Sequence, residues 1–160
     1  MSIERVKEYF NTFGIADKIQ EFEVSSATVA LAAEALGCEE ARIAKTLSFS
    51  EGDGCILIVC AGDVKIDNPK FKAEFSMKAK MLPYDVVASL CGHAVGGVCP
   101  FAVNEGVKVY LDESLKRFET VFPAAGSSNS AIELTIEELE KYAKPAKWVD
   151  VCKLVISNQE

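Results

Sequence analysis

Residues 43–61, IAKTLSFSEGDGCILIVCA, carry the strongest fold signal in the chain. Residues 43–50 alternate between apolar and polar side chains, a pattern typical of a strand with one buried face. The GDG sequence at 52–54 predicts a tight turn, and residues 55–61 are apolar on both faces, as in a central strand. The stretch therefore predicts a β-hairpin whose second strand lies in the middle of a sheet.

A lysine interrupts the apolar face of the first strand. Lys45 is predicted on the same face as Ile43, Leu47 and Phe49 because successive side chains point to opposite faces. Burying an ammonium group without a partner is costly, so such a lysine finds an anion or its pKa falls. A lysine that extends to solvent near a strand end, or a structural ion pair, would also fit. We interpret Lys45 as a lysine that lines a cavity.

The second informative stretch is residues 92–101, GHAVGGVCPF, which contains three glycines, a proline and the single histidine of the chain. Glycine permits close backbone approach, so main-chain N–H groups in such a loop can face an anionic or oxyanionic ligand. A tight connection between buried elements is an equally good interpretation of the loop alone. The candidate ligand-facing residues in it are His93, Gly96, Gly97, Val98 and Pro100.

The flanking sequence predicts further helices and strands in alternation. Helical spacing and capping residues predict helices over 2–13, from Ser26 or Thr28 to Gly37, over 69–76 after Asp67 or Asn68 as the cap, and over 83–90. A further helix is predicted over 135–143, where Thr135 and Glu138 form a capping box. Extended segments are predicted at 19–24, 107–112, 119–124, 131–134 and 148–151. Because no repeat or linker is present, we expect one α+β domain over residues 1–160 with a mixed sheet.

Composition narrows the class of protein. The 160 residues are 49% hydrophobic and 26% charged, as in an ordinary soluble globular protein. The amphipathic start lacks a signal-peptide core and the longest apolar run is too short to cross a bilayer, so we expect a cytoplasmic protein with no membrane partner. The net charge of −7 argues against indiscriminate nucleic-acid binding. Five lysines are the best candidates for local phosphate contacts: Lys65, Lys70, Lys72, Lys78 and Lys80.

The sequence offers little for metal or covalent chemistry. None of the six cysteines forms a C-x-x-C pair and there is one histidine, so we expect buried thiols and no metal site. No cofactor motif is present, and we predict no cofactor. A thiol hydrolase that uses Cys91 or Cys99 is the weakest hypothesis, because no third group orients His93.

The remaining polar set is Lys45, the glycine loop and the turn at 127–129. Such a set is suited to stabilising the oxyanion that forms when water, or a group on the substrate itself, attacks a reactive ester. An amide would require more machinery than the sequence offers.

These segments, in this order, resemble the YbaK/ProX family, the free-standing relatives of the prolyl-tRNA synthetase editing domain. The resemblance covers roughly residues 20–150 and is carried by AKTL at 44–47, GD at 62–63 with Asp67, the 92–101 loop, VYLDESL at 109–115 and AGS at 125–127. It implies a compact α+β domain with a curved, barrel-like mixed sheet flanked by helices. It also implies hydrolysis of the ester of mischarged aminoacyl-tRNA, often alanine or cysteine on proline tRNA.

The resemblance also implies roles for particular residues. Lys45 matches the lysine on which the family depends, and would hold the carbonyl group or the terminal adenosine phosphate. Gly96, Gly97 and Pro100 match the loop whose backbone lines the aminoacyl pocket, and His93 matches a less essential loop residue. The expected catalytic residues are therefore Lys45 and Gly97, and the expected substrate-binding residues are Thr46, Asp63, His93, Gly96, Val98, Pro100, Ser127 and Ser128.

The expected partner is the acceptor end of an aminoacyl-tRNA. Because the chain is acidic, a further hypothesis is that an aminoacyl-tRNA synthetase such as prolyl-tRNA synthetase supplies part of the tRNA recognition. The alternative function is a non-catalytic module that binds a small anion, a nucleotide or an aminoacyl-adenosine in the same pocket. A module that had lost catalysis would be expected to lose Lys45 first, so its presence favours the enzyme.

Overall fold

The fold is organised around a curled six-stranded mixed sheet. The computed structural model describes residues 2–155, and in it the main sheet has the order β8-β6-β2-β3-β5-β9. Two further pairs of strands, β1 with β7 and β4 with β10, flank it. The strands are β1 Gln20–Glu21, β2 Ile43–Glu51, β3 Gly54–Ala61, β4 Val64–Ile66, β5 Lys108–Asp112, β6 Thr120–Pro123, β7 Ser130–Ala131, β8 Leu134–Thr135, β9 Lys147–Val149 and β10 Cys152–Leu154.

The predicted hairpin is confirmed and forms the centre of this sheet. Strands β2 and β3 pair antiparallel from Ala44 opposite Ala61 to Glu51 opposite Gly54, which places Lys45 opposite Cys60. On their outer sides β2 pairs in parallel with β6 and β3 pairs in parallel with β5. The sheet is therefore mixed. The antiparallel pair is joined by a tight turn, whereas the parallel pairs need longer crossover connections.

Within residues 2–155, five α-helices cover the sheet: α1 Ser2–Asn11, α2 Val29–Leu36, α3 Asn68–Phe75, α4 Val87–Cys91 and α5 Ile136–Ala143. Their starts follow the predicted capping residues. The side chains of Thr28 and Asp67 accept hydrogen bonds from first-turn N–H groups of α2 and α3. Thr135 and Glu138 form the predicted capping box at α5. These contacts satisfy backbone donors that a helix cannot satisfy internally.

Among the described residues, two large hydrophobic cores lie on opposite faces of the sheet, and a smaller cluster packs α2 against Ile43 and Phe122. Leu57 and Val59 of β3 face a core formed with α1, α4 and α5, which we call the α5 side. Ile56 and Ile58 face a second core formed with α3, β4 and β10, which we call the α3 side. The coverage of β3 on both faces explains its continuous apolar sequence. The predicted α+β architecture with a curved mixed sheet is confirmed.

Some short elements differ from the sequence-based prediction. Residues 131–134 were expected as one strand, but β7 and β8 separate here and join different sheets. Within the segment expected to be extended at 19–24, only Gln20–Glu21 pairs as a strand. The helix expected over 83–90 is a 3-10 turn at Tyr84–Val86 followed by α4. Strands of two or three residues are too short to show a period, so the sequence pattern cannot locate them.

The sequence predicts no membrane-spanning segment, because its longest apolar run is too short. Over residues 2–155, each helix is too short or too polar to cross a bilayer.

Candidate active site

A cavity of about 430 Å³ opens beside the first half of β2. The ladder between β2 and β6 ends where Ala44 pairs with Pro123. Farther along β2, the N–H of Leu82 donates to the carbonyl of Ser48, at 3.2 Å. Between these two contacts residues 45–47 border the cavity. The volume is within the range of sites for small molecules, and the other walls come from the start of α2, residues 81–87, the glycine loop, β6 and β7.

Lys45 lies on the wall of this cavity, as the sequence predicts. Its side chain is half-buried, and Nζ donates a hydrogen bond to the carbonyl oxygen of Val64 in β4. Among the ion pairs of residues 2–155 none includes Lys45. A structural ion pair therefore does not account for this lysine, and its positive charge is available to an anionic group in the cavity.

Asp63 lies behind the cavity wall and does not line it. Its carboxylate accepts two hydrogen bonds from Arg117, at 2.6 Å from Nη2 and 3.0 Å from Nη1. These bonds hold the pKa of Asp63 below its usual value, against the opposing effect of partial burial. The Asp63 carbonyl also accepts from the N–H of Val155, at 2.9 Å. The predicted substrate-binding residue thus links the start of β4 to Arg117 and to the end of β10.

Thr46 contributes polar groups to the same wall. Its Oγ1 atom is buried and makes no hydrogen bond to any other part of the described chain. The carbonyl of Ser48 and the N–H of Ser50 both point away from β3, to the 80–82 segment. Because backbone direction alternates along a strand, the N–H and C=O of Thr46 point to that same side of β2.

The glycine loop forms the opposite wall through Gly96 and Val98. Gly96 has a φ of +94°, a backbone conformation that favours glycine. Gly97 is buried and does not line the cavity. A Cβ atom added there would lie 2.7 Å from the backbone nitrogen of Ser127, so this glycine permits close packing of the loop on the 125–129 turn. Gly97 therefore supports the wall from behind.

The turn at 125–129 connects the glycine loop to the start of α2. The carbonyl of Ser128 accepts from the N–H of Ser26 at 2.7 Å, and the Asn129 side chain donates to the carbonyl of Phe22 at 2.8 Å. The hydroxyl of Ser127 donates within the turn, to the Ser130 hydroxyl at 2.6 Å. Ser127 and Ser128 were expected to bind substrate, and the structure places both outside the cavity lining.

His93 is fully buried beneath the loop. Its Nε2 lies 2.7 Å from the Phe101 carbonyl, which requires the proton on Nε2. Nδ1 is buried and has no hydrogen-bond partner among residues 2–155. Pro100 is buried as well, so these two predicted site residues support the loop and do not face the cavity.

Neither candidate thiol can reach a substrate in the cavity. Cys91 and Cys99 are fully buried and absent from the cavity wall. Burial raises the pKa of the Cys99 thiol to about 12, so the thiolate needed for attack does not form near neutral pH. His93 Nε2 lies 3.6 Å from the Cys99 sulfur, but it donates its proton to the Phe101 carbonyl and cannot act there as a base. The thiol-hydrolase hypothesis is not supported.

The buried His93 predicts a specific pH dependence of stability. Burial lowers the pKa of His93 below its ordinary value of 6.5, so from that pH downward the unfolded chain binds a proton that the folded chain does not. The free energy of unfolding should fall below pH 6.5 with a contribution of at most about 1.4 kcal/mol per pH unit. The free energy of unfolding should be measured by urea titration at several pH values between 5 and 7.5. Its decrease with falling pH should be less steep in His93→Gln than in the wild type. Equal slopes in the two proteins would contradict this assignment.

Several residues at the mouth of the cavity were missed by sequence reasoning. Met81, Tyr84 and Val95 line it and are large, exposed side chains, with Tyr84 79% exposed. Met81 lies in an irregular segment, Tyr84 begins the 3-10 turn within the predicted 83–90 helix, and Val95 lies in the glycine loop, and no sequence pattern directs these side chains to a cavity. The first turn of α2 was predicted as a helix start but not as a wall, although Thr28 and Val29 both line the cavity. The N-terminus of a helix attracts negative charge, and so does the Lys45 ammonium group. Both groups therefore favour an anionic ligand in the cavity.

Comparison with known proteins identifies the family. The family model of the aminoacyl-tRNA editing domain matches residues 23–142, three quarters of the chain, and the protein belongs to this family. The resemblance to the YbaK/ProX family drawn from the sequence is thereby confirmed.

Individual relatives agree with this assignment. A Bacillus subtilis (strain 168) protein, called uncharacterized protein YwhH, is 53% identical over 154 residues that cover 96% of this chain and 98% of the relative. The crystal structure of a candidate trans-editing enzyme for prolyl tRNA synthetase superposes with a TM-score of 0.84 at 29% identity, covering 95% of this chain and 97% of that one. Hypothetical protein APE2540 gives a TM-score of 0.82 at 26% identity, covering 93% and 99%.

Proposed function

We propose that this protein is a trans-editing deacylase that hydrolyses the ester bond of mischarged aminoacyl-tRNA. The observation that carries the proposal is the Lys45 ammonium group, which lies on the cavity wall without a carboxylate partner among residues 2–155. Membership of the aminoacyl-tRNA editing domain family supports it, as does the similarity to a candidate trans-editing enzyme for prolyl tRNA synthetase.

The cavity is suited to stabilising charge on an ester carbonyl. When a nucleophile adds to the carbonyl carbon, the oxygen gains negative charge, which a fixed ammonium group and backbone N–H groups stabilise in a partly dry site. Lys45 supplies the ammonium group, and the N–H of Thr46 and the first turn of α2 lie along the same cavity. Collapse of the intermediate then breaks the ester C–O bond, and the departing ribose oxygen takes up the proton that the attacking water loses, which gives the free amino acid and the tRNA hydroxyl. If a thiol of the substrate attacks instead, its proton passes to the ribose oxygen and the first product is a cyclic thioester, which water then opens to the free amino acid.

The nucleophile in this proposal is water or a group of the substrate. The described cavity wall contains no cysteine, histidine or carboxylate side chain that could attack or act as a base. An aminoacyl ester is activated enough to need mainly positioning and charge stabilisation, both of which the site offers. This limited chemistry favours an ester substrate over an amide.

The lining favours an uncharged amino acid. Its apolar side chains include Ala27, Leu82 and Phe122, and the described wall carries no carboxylate. Together with membership of the aminoacyl-tRNA editing domain family, this leads us to propose alanine or cysteine as the removed residue, on an RNA such as proline tRNA. The partners in this proposal are the acceptor end of the tRNA and, because the chain carries a net charge of −7, a synthetase such as prolyl-tRNA synthetase that supplies further recognition.

A deacylation assay on one carrier tRNA tests the proposal. Proline tRNA charged with alanine, cysteine, serine or proline is incubated with the protein, and the remaining aminoacyl-tRNA is measured over time. We expect rapid release of one small non-cognate residue while prolyl-tRNA is spared, since a pocket distinguishes neighbouring side chains by about 1–3 kcal/mol per methylene. Binding of an aminoacyl-adenosine without release from any of the four would instead support the non-catalytic module.

A further inference from the structure

We propose that the small sheet formed by β4 and β10 is a docking surface for the sugar–phosphate backbone of the tRNA acceptor stem, with Lys65 and Lys153 as its phosphate ligands. The inference rests on the proposed function, because it concerns the RNA that carries the ester into the cavity. It adds a residue, Lys153, that is 88 positions away from Lys65 in the sequence and that the lysine-rich segment at 65–80 does not include.

The register of the small sheet places two lysines side by side. Lys153 pairs directly with Lys65, between the pairs Cys152 with Ile66 and Leu154 with Val64. Directly opposed side chains have Cβ atoms about 4.5–5.5 Å apart, and like charges in such pairs are destabilising. Val64 and Cys152 are buried, so the two lysines point to the opposite, solvent-exposed face. The fold thus holds two ammonium groups together at a cost in stability.

No carboxylate among residues 2–155 compensates this pair. The carboxylates that flank β4 and β10 in the sequence are engaged elsewhere: Asp63 with Arg117 at 2.6 Å, Asp67 as the cap of α3, and Asp150 with Lys70 at 3.1 Å. Neither Lys65 nor Lys153 takes part in an ion pair of the described chain. Two adjacent free cations on a protein with a net charge of −7 indicate an external polyanion as partner.

The lysine pair is next in the chain to a residue that contacts the candidate active site. The carbonyl of Val64, which accepts the Lys45 hydrogen bond, belongs to the residue immediately before Lys65. Consecutive Cα atoms are 3.8 Å apart, so the phosphate-binding face begins one residue from the group that holds the catalytic lysine. The N–H of Val155 donates to Asp63, which fixes the end of β10 to the start of β4. An RNA whose end enters the cavity would pass over this sheet.

Lysine contacts to phosphates give affinity without reading bases. A lysine is a flexible point charge, and its contacts position a nucleic acid while carrying no sequence information. We therefore expect the surface to set the strength of tRNA binding and its salt dependence, and to have no influence on which amino acid is removed. The chemistry step would depend on Lys45 and be independent of Lys65 and Lys153.

The test compares two double variants that remove the same number of charges. Lys65→Gln with Lys153→Gln alters the proposed surface, and Lys18→Gln with Lys141→Gln alters the α5 side, where Lys18 is near Glu138 and Lys141 lies in α5. Dissociation constants for uncharged proline tRNA are measured from 50 to 200 mM KCl. In the first variant the slope of log affinity against log salt should fall in magnitude by about 1.4–1.8, since each phosphate contact contributes about 0.7–0.9. The control should keep the wild-type slope.

Two further measurements separate this proposal from the proposed function. Hydrolysis of an aminoacyl-adenosine ester, which carries no phosphate, should be equal in wild type and in the Lys65 and Lys153 double variant. A changed salt slope in a protein that deacylates nothing would uphold the surface and overturn the enzymatic function. Equal slopes in the two double variants would overturn the surface, and so would tRNA binding that is insensitive to salt. If the Lys65 and Lys153 double variant lost binding to phosphatidylserine vesicles and kept its tRNA binding unchanged, the partner of this surface would be a membrane and the proposal would be overturned.

Discussion

Replacing Lys45 with alanine is expected to lower kcat for ester hydrolysis by at least about 100-fold, while the protein stays folded. Removing one group that stabilises an oxyanion costs about 10²- to 10³-fold in rate at comparable sites. The structural cost is limited, because within residues 2–155 the side chain makes one hydrogen bond, to the Val64 carbonyl, and is only half-buried. A hydrogen bond from a charged group contributes about 1.5–3 kcal/mol, which corresponds to about 3–12 °C in melting temperature.

Two further variants at this position distinguish charge from shape. Lys45→Met keeps most of the apolar stem and should be as inactive as Lys45→Ala, with a melting temperature closer to wild type. Lys45→Arg keeps the charge but places it differently, so partial activity is expected. Single-turnover deacylation and thermal unfolding should be measured on the same preparations. Full activity in Lys45→Met would show that the ammonium group has no role in the reaction.

Much of the central fold was predictable from residues 43–61. Lys45 and Thr46 are on the cavity wall because the predicted hairpin forms, and alternation along β2 fixes which groups point to the open side. The caps at Thr28, Asp67 and Thr135 were also predictable, because capping depends on local hydrogen bonds.

The pairing of β4 with β10 could not be predicted from local pattern. Each strand has three residues, and the chain between them exceeds 80 residues, so neither period nor loop length identifies the partner. The opposition of Lys65 and Lys153 exists only in the folded register. Met81 and Tyr84 likewise could not be assigned to the cavity, because their position on its wall depends on long-range packing.

The glycine loop shows a different limit of sequence reasoning. Glycine occurs both where backbone must face a ligand and where backbone must pack closely on other backbone. Gly96 is on the cavity wall and Gly97 lies against the 125–129 turn, yet the two residues are adjacent and identical in type. The sequence predicted the location of the loop near the site, and packing decides which glycine has which function.

Gly97→Ala is expected to reduce stability and activity together. The added Cβ would lie 2.7 Å from the Ser127 nitrogen and 2.8 Å from the Gly126 carbonyl carbon, distances that real Cβ atoms essentially never show. Both neighbours are backbone, so the loop or the turn must shift, and overpacking of this kind costs about 1–3 kcal/mol. The shift would displace Gly96 and Val98 from the cavity wall, which should lower kcat/KM for the ester about 10- to 100-fold.

Gly54→Ala is the matched control for this prediction. A Cβ at Gly54 would meet its nearest neighbour, the Glu51 carbonyl, at an ordinary 3.8 Å, and Gly54 has no positive φ. This variant should keep the wild-type melting temperature within about 2 °C and full activity. If Gly97→Ala instead kept its melting temperature and lost activity, the Gly97 backbone would contact substrate directly, because a side chain that blocks only a ligand leaves the unliganded fold unchanged.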